Sequence, residues 1–347
     1  MGVFSSGGVG FDLGSSNVTI YLENEGVVLR EPSYLLTDAA NPLDILAVGR
    51  EARQMLGRTP QDVDLIAPVA RGAIADSEQA TLLIQAFLNR VIGKKRALER
   101  ARMLVSMSQG LTHVEQKALE GAVRAAGARR AALVMSPIAA AVGAGISINE
   151  PKGIMIVLIG GETTDISVIS MNGIVAARTA RTGSYAFDEA IVRFVRREKG
   201  LVIGQRTAED LKIDIGTAVE SRLTDNYEVL LRGRDAHTGK PSTVSVTAQE
   251  VREAMKAPIE DLLETIREAF ENTPPELAAD ILERGIQLCG GGALLEGLDR
   301  RLSELVKLPV KAGEAPQDDV ATGAGMIASD DKLFARLVQA GCVLELS

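Results

Sequence analysis

The sequence has no tryptophan, two histidines and two cysteines, and only 3% of its residues are aromatic. Two histidines leave little scope for imidazole chemistry, and His113 and His237 sit in polar surroundings that suit solvation better than catalysis. Cys289 and Cys342 follow no metal or redox spacing, which fits a reduced, cytosolic compartment. No apolar run approaches the ~20 residues of a membrane span, and no secretory signal is visible, so the expected location is cytoplasmic. Met1-Gly2 with Ser6 matches a myristoylation pattern so short that chance accounts for it. An excess of positive charge is also missing. The net charge of -8 and a pI near 5.1 disfavour a nucleic-acid partner. What remains is an ordinary globular composition, 46% hydrophobic and 24% charged, in 347 residues. That length predicts two or three domains with a sizeable core.

The informative stretch is Ile154–Ile169, IMIVLIGGETTDISVI. An apolar run, a Gly160-Gly161-Glu162-Thr163-Thr164 turn and a second alternating run predict a β-hairpin. Glycines permit positive φ and bring backbone N–H groups together, and threonine hydroxyls add neutral donors suited to phosphate. Val9–Leu22, VGFDLGSSNVTIYL, repeats the pattern, with Gly14 in register with Gly160 and Ser15-Ser16-Asn17 facing Gly161-Glu162-Thr163. Two such units about 150 residues apart suggest a duplication. Facing one another, they would hold a polyphosphate from both sides; the alternative is two ordinary hairpins in a mixed sheet.

Each half repeats one order of elements. Val27–Leu36 reads as a third strand bent at Glu31-Pro32-Ser33, and Gly49–Leu56 as a short helix. Ser77 caps a predicted helix to Ile92, with Leu82, Leu83, Ala86, Phe87 and Ile92 on its buried face. Met103–Met107 and Ala131–Met135 read as strands, each followed by a helix; Thr112 with Glu115 fits a capping box. After Gly153 three strands recur through Arg181. Helices follow at Phe187–Lys199 and Thr207–Val219, then a hairpin at Tyr227–Val246. Thr247–Asn272 reads as a long helix kinked or broken at Pro258. Ile286–Cys289 is a strand running into Gly290-Gly291-Gly292, Leu294–Leu305 a helix, and Gly323-Ala324-Gly325 the start of a last short helix. The pattern implies two α/β domains with mixed sheets and a ligand cleft between them.

Taken together, FDLGSSN, VLREPS, AVGREARQMLGRTP, AAAVGAG, GGETTDISVISMNGIV, IGQRTAEDLKIDIG, CGGGALLEGLD and GAGM give a family likeness from about Gly10 to Gly325. The chain resembles the actin/Hsp70/sugar-kinase superfamily, and within it the MreB family of bacterial actin homologues. The resemblance implies an actin-like (ribonuclease H-like) α/β fold of two duplicated domains around a nucleotide cleft. One would comprise 9–150 plus 320–341, with a small subdomain at about 37–69. The other would comprise 151–319, with a small subdomain at about 185–245. It implies binding of ATP and Mg²⁺. Gly14–Asn17 would form the first phosphate loop and Gly160, Gly161, Glu162 and Thr163 the second. Glu209, Asp210, Leu211 and Lys212 would edge the adenine and ribose, and Gly290, Gly291, Gly292, Ala293 and Leu294 would form the adenosine loop. Asp12 is the retained acid, with a water-mediated metal contact. The implied role is a filament of this chain or of a paralogue that determines cell shape and organises cell-wall synthesis with membrane proteins.

Three departures fall on the chemistry. The family's acid two residues before the first glycine of the second turn is Leu158 here, opposite Asp12 in the duplicate. The glutamate the family places before the proline of the AAAVGAG helix is Ser136, and a hydroxyl is no general base without a base of its own. Glu162 replaces a glycine, bringing either like-charge repulsion at a γ-phosphate or a substitute metal ligand. Impaired hydrolysis is therefore expected, with Asp12 and Thr163 retained. Two other readings are a non-polymerising actin-like scaffold and a cleft-type ATP-dependent enzyme. Only about twenty residues follow Gly325, which disfavours the second. The basic run Gly93–Arg102, with Leu98 its only large apolar residue, predicts weak electrostatic contact with an anionic membrane. A solvated connector is the alternative.

Overall fold

A computed structural model describes residues 7–92, 101–220 and 225–346. Its first strands follow the alternation of the sequence: β1 (Gly8–Leu13), β2 (Asn17–Leu22) and β3 (Gly26–Pro32) form a meander. The bend at Ser33 ends β3. The next strand, β4 (Leu35–Asp38), joins a separate three-stranded sheet with β5 (Ile45–Val48) and, after the single turn α1 (Arg50–Arg53), β6 (Val63–Ile66). A minimal hairpin follows, β7 (Val69–Ala70) and β8 (Ala73–Ile74). Helix α2 spans Ser77–Ile92 as predicted, but its cap is Asp76, whose Oδ1 accepts the Glu78 and Gln79 N–H groups at 3.0 Å. Its buried stripe is Ala80, Leu83, Ile84, Phe87 and Leu88; Leu82 and Ala86 lie at the margin.

The unit continues with β9 (Arg102–Met107), α3 (His113–Ala125), β10 (Ala131–Met135) and α4 (Ser136–Gly143). The Thr112–Glu115 capping box is formed in both directions. The second half opens with β11 (Ile154–Ile159), β12 (Thr164–Ser170) and β13 (Gly173–Ala180). Then come α5 (Tyr185–Lys199), β14 (Leu201–Val202) and α6 (Gln205–Ile215), the last ending before the predicted Val219 because the chain turns at Gly216. The expected hairpin is β15 (Glu228–Asp235) and β16 (Pro241–Thr247).

Helix α7 (Ala248–Glu271) runs through Pro258 without interruption, so no break occurs there. A proline removes one N–H, whereas Val251, Met255, Ile259, Leu262 and Leu263 bury a continuous stripe on both sides of it. Next are α8 (Pro275–Arg284), β17 (Ile286–Cys289) and a 3₁₀ turn at Gly291–Leu294. Helix α9 (Leu298–Val306) begins four residues after the predicted Leu294. The chain closes with β18 (Val310–Ala312), α10 (Asp319–Ser329), α11 (Asp331–Gln339) and β19 (Val343–Glu345).

The duplication is visible in topology. One sheet has the order β19-β10-β9-β1-β2-β3 and the other β18-β17-β11-β12-β13. In each, the first strand of a glycine hairpin takes a parallel neighbour on its far side, β9 for β1 and β17 for β11. Each sheet has its own apolar core, and a third joins them through α4 and α10. That junction needs glycine. A Cβ on Gly323 would overlap the Ala139 carbonyl oxygen, and one on Gly10 would overlap that of Ala321. Gly323–Gly325 therefore sit inside α10 as packing positions and do not begin it.

Candidate functional site

The two glycine turns close in the same way and meet. Gly14 N–H donates to Asn17 O at 3.1 Å, and Gly160 N–H to Thr163 O at 2.8 Å. A Cβ on Gly161 would stand 2.9 Å from Ser16 Cβ, so the tips are in near contact, as the matched hairpins predict. The Tyr185 ring, at the start of α5, lies against the same point: its Cζ would be 3.5 Å from that Gly161 Cβ. Beneath lies a cleft with about 1080 Å³ of empty space, its open mouth included. Gly14, Ser15, Ser16 and Asn17 line it from one side and Gly160, Gly161 and Thr163 from the other. Gly290 and Gly291 close its end.

The floor carries the acids. Asp12 Oδ1 accepts from Ser106 Oγ at 2.5 Å, and Ser106 Oγ accepts the Leu13 N–H at 3.3 Å. Burial pushes the Asp12 carboxyl up to about 6, against the Ser106 hydrogen bond. Leu158 holds the matching place on β11 and lines the cleft, as does Ser136 at the head of α4. Leu158 pairs directly with Asp165 on β12, so their side chains share a face and both reach the cleft. Asp165 Oδ1 accepts from Ser108 Oγ at 3.1 Å and Thr179 Oγ1 at 2.6 Å, and burial raises its pKa. Sequence reasoning passed over Asp165; the signal was the one ionisable residue of the strand Thr164–Ser170.

The other predicted residues divide. Glu162 is not part of the cleft lining; its Oε2 accepts the backbone N–H of Arg71, in the β7–β8 turn, at 2.5 Å. Glu209 is ion-paired with Arg53 of α1. Lys212 Nζ lies 2.7 Å from Asp188 Oδ1, a carboxyl that burial raises to about 6 against the pull of Lys212. Asp210 is 4.0 Å from Arg206, and Leu211 is buried in the core. Gly292 and Ala293 pack inward, Gly292 against Ile159, whereas Leu294 is 56% exposed. Lys94, Lys95, Arg96, Leu98 and Arg100 fall outside the described residues. Arg102 is engaged, 2.7 Å from Asp331 and over the Phe334 ring. Among the described residues no helix is long and apolar enough to cross a membrane.

The donor set suits a polyphosphate: two glycine turns with the hydroxyls of Ser15, Ser16 and Thr163. It also suits a cation shared with that phosphate. Among the described residues no three His, Cys, Asp or Glu side chains form a cage of their own. Asp12 supplies one carboxylate, and the buried Oε1 of Gln317, on the cleft wall, has no hydrogen-bond partner among the described residues. Oxygens of this kind hold a hydrated Mg²⁺ through its waters.

Comparison with known proteins gives one answer along the chain. Residues 6–336 match the model of the MreB/Mbl protein family. The cell shape-determining protein Mbl of Bacillus subtilis (strain 168) is 42% identical over 326 residues, 94% of this chain and 97% of that protein. Cell shape-determining protein MreB of Escherichia coli (strain K12) is 41% identical, covering 93% of each. Among solved structures, MreB5 of Spiroplasma citri bound to AMPPNP superposes with a TM-score of 0.88 at 32% identity, over 96% of this chain and 98% of that one. The MamK double helical filament shares the fold, with a TM-score of 0.76 at 20% identity, over 93% and 98%.

Proposed function

Because the chain belongs to the MreB/Mbl family, we propose that it is an actin-like cytoskeletal protein that binds ATP between two domains, 9–150 with 320–341 and 151–319. It polymerises with itself or a paralogue, and the filament takes part in cell-shape determination and in organising cell-wall synthesis at the cytoplasmic membrane. The observation that carries the reading is the convergence of both glycine turns and Gly290-Gly291 on one cleft. The AMPPNP complex of the Spiroplasma citri relative supports the choice of nucleotide.

In this reading the turn backbones and the hydroxyls of Ser15, Ser16 and Thr163 would hold the phosphates, and Asp12 and Gln317 are the residues that would hold a hydrated Mg²⁺. Bound Mg²⁺ would supply charge neutralisation for the phosphates. The same residues predict weak turnover. Leu158 offers no oxygen to a metal-bound water, and Ser136 cannot accept a proton from an attacking water at neutral pH. Losing a positioned base removes ~10²–10⁴-fold in rate. Sedimentation and electron microscopy of the purified chain with and without Mg-ATP test the polymer. Pelleted filaments are expected; a chain that stays in the supernatant under all nucleotide conditions supports the scaffold reading instead.

A further inference from the structure

Glu162 is the residue that the phosphate cleft does not use. It stands at the tip of the second glycine turn, yet its carboxylate points away to the β7–β8 hairpin and accepts the Arg71 N–H at 2.5 Å. That hairpin turns on Arg71 and Gly72, with φ of 52° and 75°, as a two-residue primed turn requires. The conformation is unfavourable for arginine, and it presents the amide to Glu162. Gly72 sits close over the phosphate tip: a Cβ there would be 3.4 Å from Thr163 Cγ2 and 3.5 Å from Ser108 Cβ. Gly72, Ala73 and Ile74 are themselves part of the cleft wall. The hairpin is thus a flap over the end of the cleft where Thr163 lies, and Glu162 ties it down.

Two further contacts join the two halves: the Tyr185 ring lies beside Gly161 and Ser16 at the meeting tips, and Arg53 pairs with Glu209. A glycine at position 162 would have no side chain to reach Arg71, so the tie at the flap depends on this substitution. Hydrogen bonds to an ionised acceptor are stronger than those between neutral groups.

We propose that Glu162 is a latch that holds the β7–β8 flap over the phosphate hairpin, so that nucleotide leaves this cleft only when the Glu162–Arg71 contact opens. The proposal rests on the reading of the cleft as a nucleotide site. It predicts a chain that is closed before nucleotide arrives and exchanges it slowly. It also gives the glutamate a role other than phosphate repulsion or metal ligation.

The test is stopped-flow release of a fluorescent ADP from the full chain, with Glu162→Gly, Glu162→Gln and Arg71→Ala. Release should speed up about 5–10-fold in Glu162→Gly and by less in Glu162→Gln, which keeps a neutral acceptor. Arg71→Ala keeps the backbone amide and should release at the wild-type rate. Hydrogen exchange at the Arg71 amide in nucleotide-free protein supplies an independent reading, and it should accelerate in Glu162→Gly. Unchanged release, or unchanged Arg71 exchange, overturns the latch. Failure of the wild type to bind nucleotide overturns both the nucleotide reading and the gating role, while Arg71 exchange still reports whether the tie exists.

Discussion

Asp12→Asn separates the function of the cleft floor from its stability. The Asp12 carboxyl is raised from 3.8 to about 6 by burial, against the Ser106 hydrogen bond. The fold therefore prefers the protonated acid. Stability from this group is fully present below pH 3.8 and is lost as pH rises through the folded value near 6. Holding the carboxylate charged at pH 7.5 costs about 3 kcal/mol at most. Asparagine removes the charge and keeps an oxygen that can accept from Ser106. At about 2.1 cal/mol/K of unfolding entropy per residue, that gain raises the midpoint of the 347-residue chain by about 4 °C. Thermal melts without nucleotide should show the variant more stable at pH 7.5 and level with the wild type near pH 4. Adding Mg-ATP should reverse the order at pH 7.5, since the wild type alone offers a carboxylate to the cation. A variant less stable than the wild type at pH 7.5 without nucleotide would refute the reasoning, leaving Asp12 a structural hydrogen-bond partner.

Leu158→Asp and Ser136→Glu should raise phosphate release only in combination, because groups that act as one unit are not additive; a single change that restores it would locate the defect in one residue. Gly323→Ala should destabilise by at least about 1–3 kcal/mol, since its methyl meets the backbone carbonyl of Ala139 and neither helix can yield. Gly121→Ala, inside α3 with nothing near its Cβ, should stabilise by about 0.5–1 kcal/mol in the same melts. Binding to anionic liposomes through 93–102 should fall away at high salt, because exposed charges are screened there; co-sedimentation unchanged by salt contradicts an electrostatic contact.

The hairpins were legible because their code is local: alternation, a glycine turn and alternation again place β1–β2 and β11–β12 without reference to the rest of the chain. The Thr112 capping box was legible for the same reason. Asp76 displaced Ser77 as the α2 cap because two carboxylate-accepted N–H bonds outweigh a hydroxyl one residue on. Gly323–Gly325 looked like a helix start because glycine lowers helix propensity, yet the demand there comes from a helix crossing about 180 residues away in sequence. Ser106 and Ser108 could not be read as site residues, since only the fold brings them to Asp12 and Asp165. Glu162 was legible as an anomaly, but its partner is a backbone amide 91 residues earlier. A bare N–H of that kind leaves no mark in residue identity. Strand β19 was missed because its burial depends on pairing with β10, whereas helix α11 was missed although the Asp330 cap and the spacing of Leu333, Phe334, Leu337 and Val338 are written in its sequence.

The most direct test of the central claim is single-turnover phosphate release from Mg-ATP bound to the unmodified chain. A relative that keeps both acids, the aspartate at the position of Leu158 and the glutamate at that of Ser136, is measured alongside. The account predicts that ATP binds and that phosphate appears ~10²–10⁴-fold more slowly than from the relative. Release at the relative's rate would show that Leu158 and Ser136 do not disable the cleft.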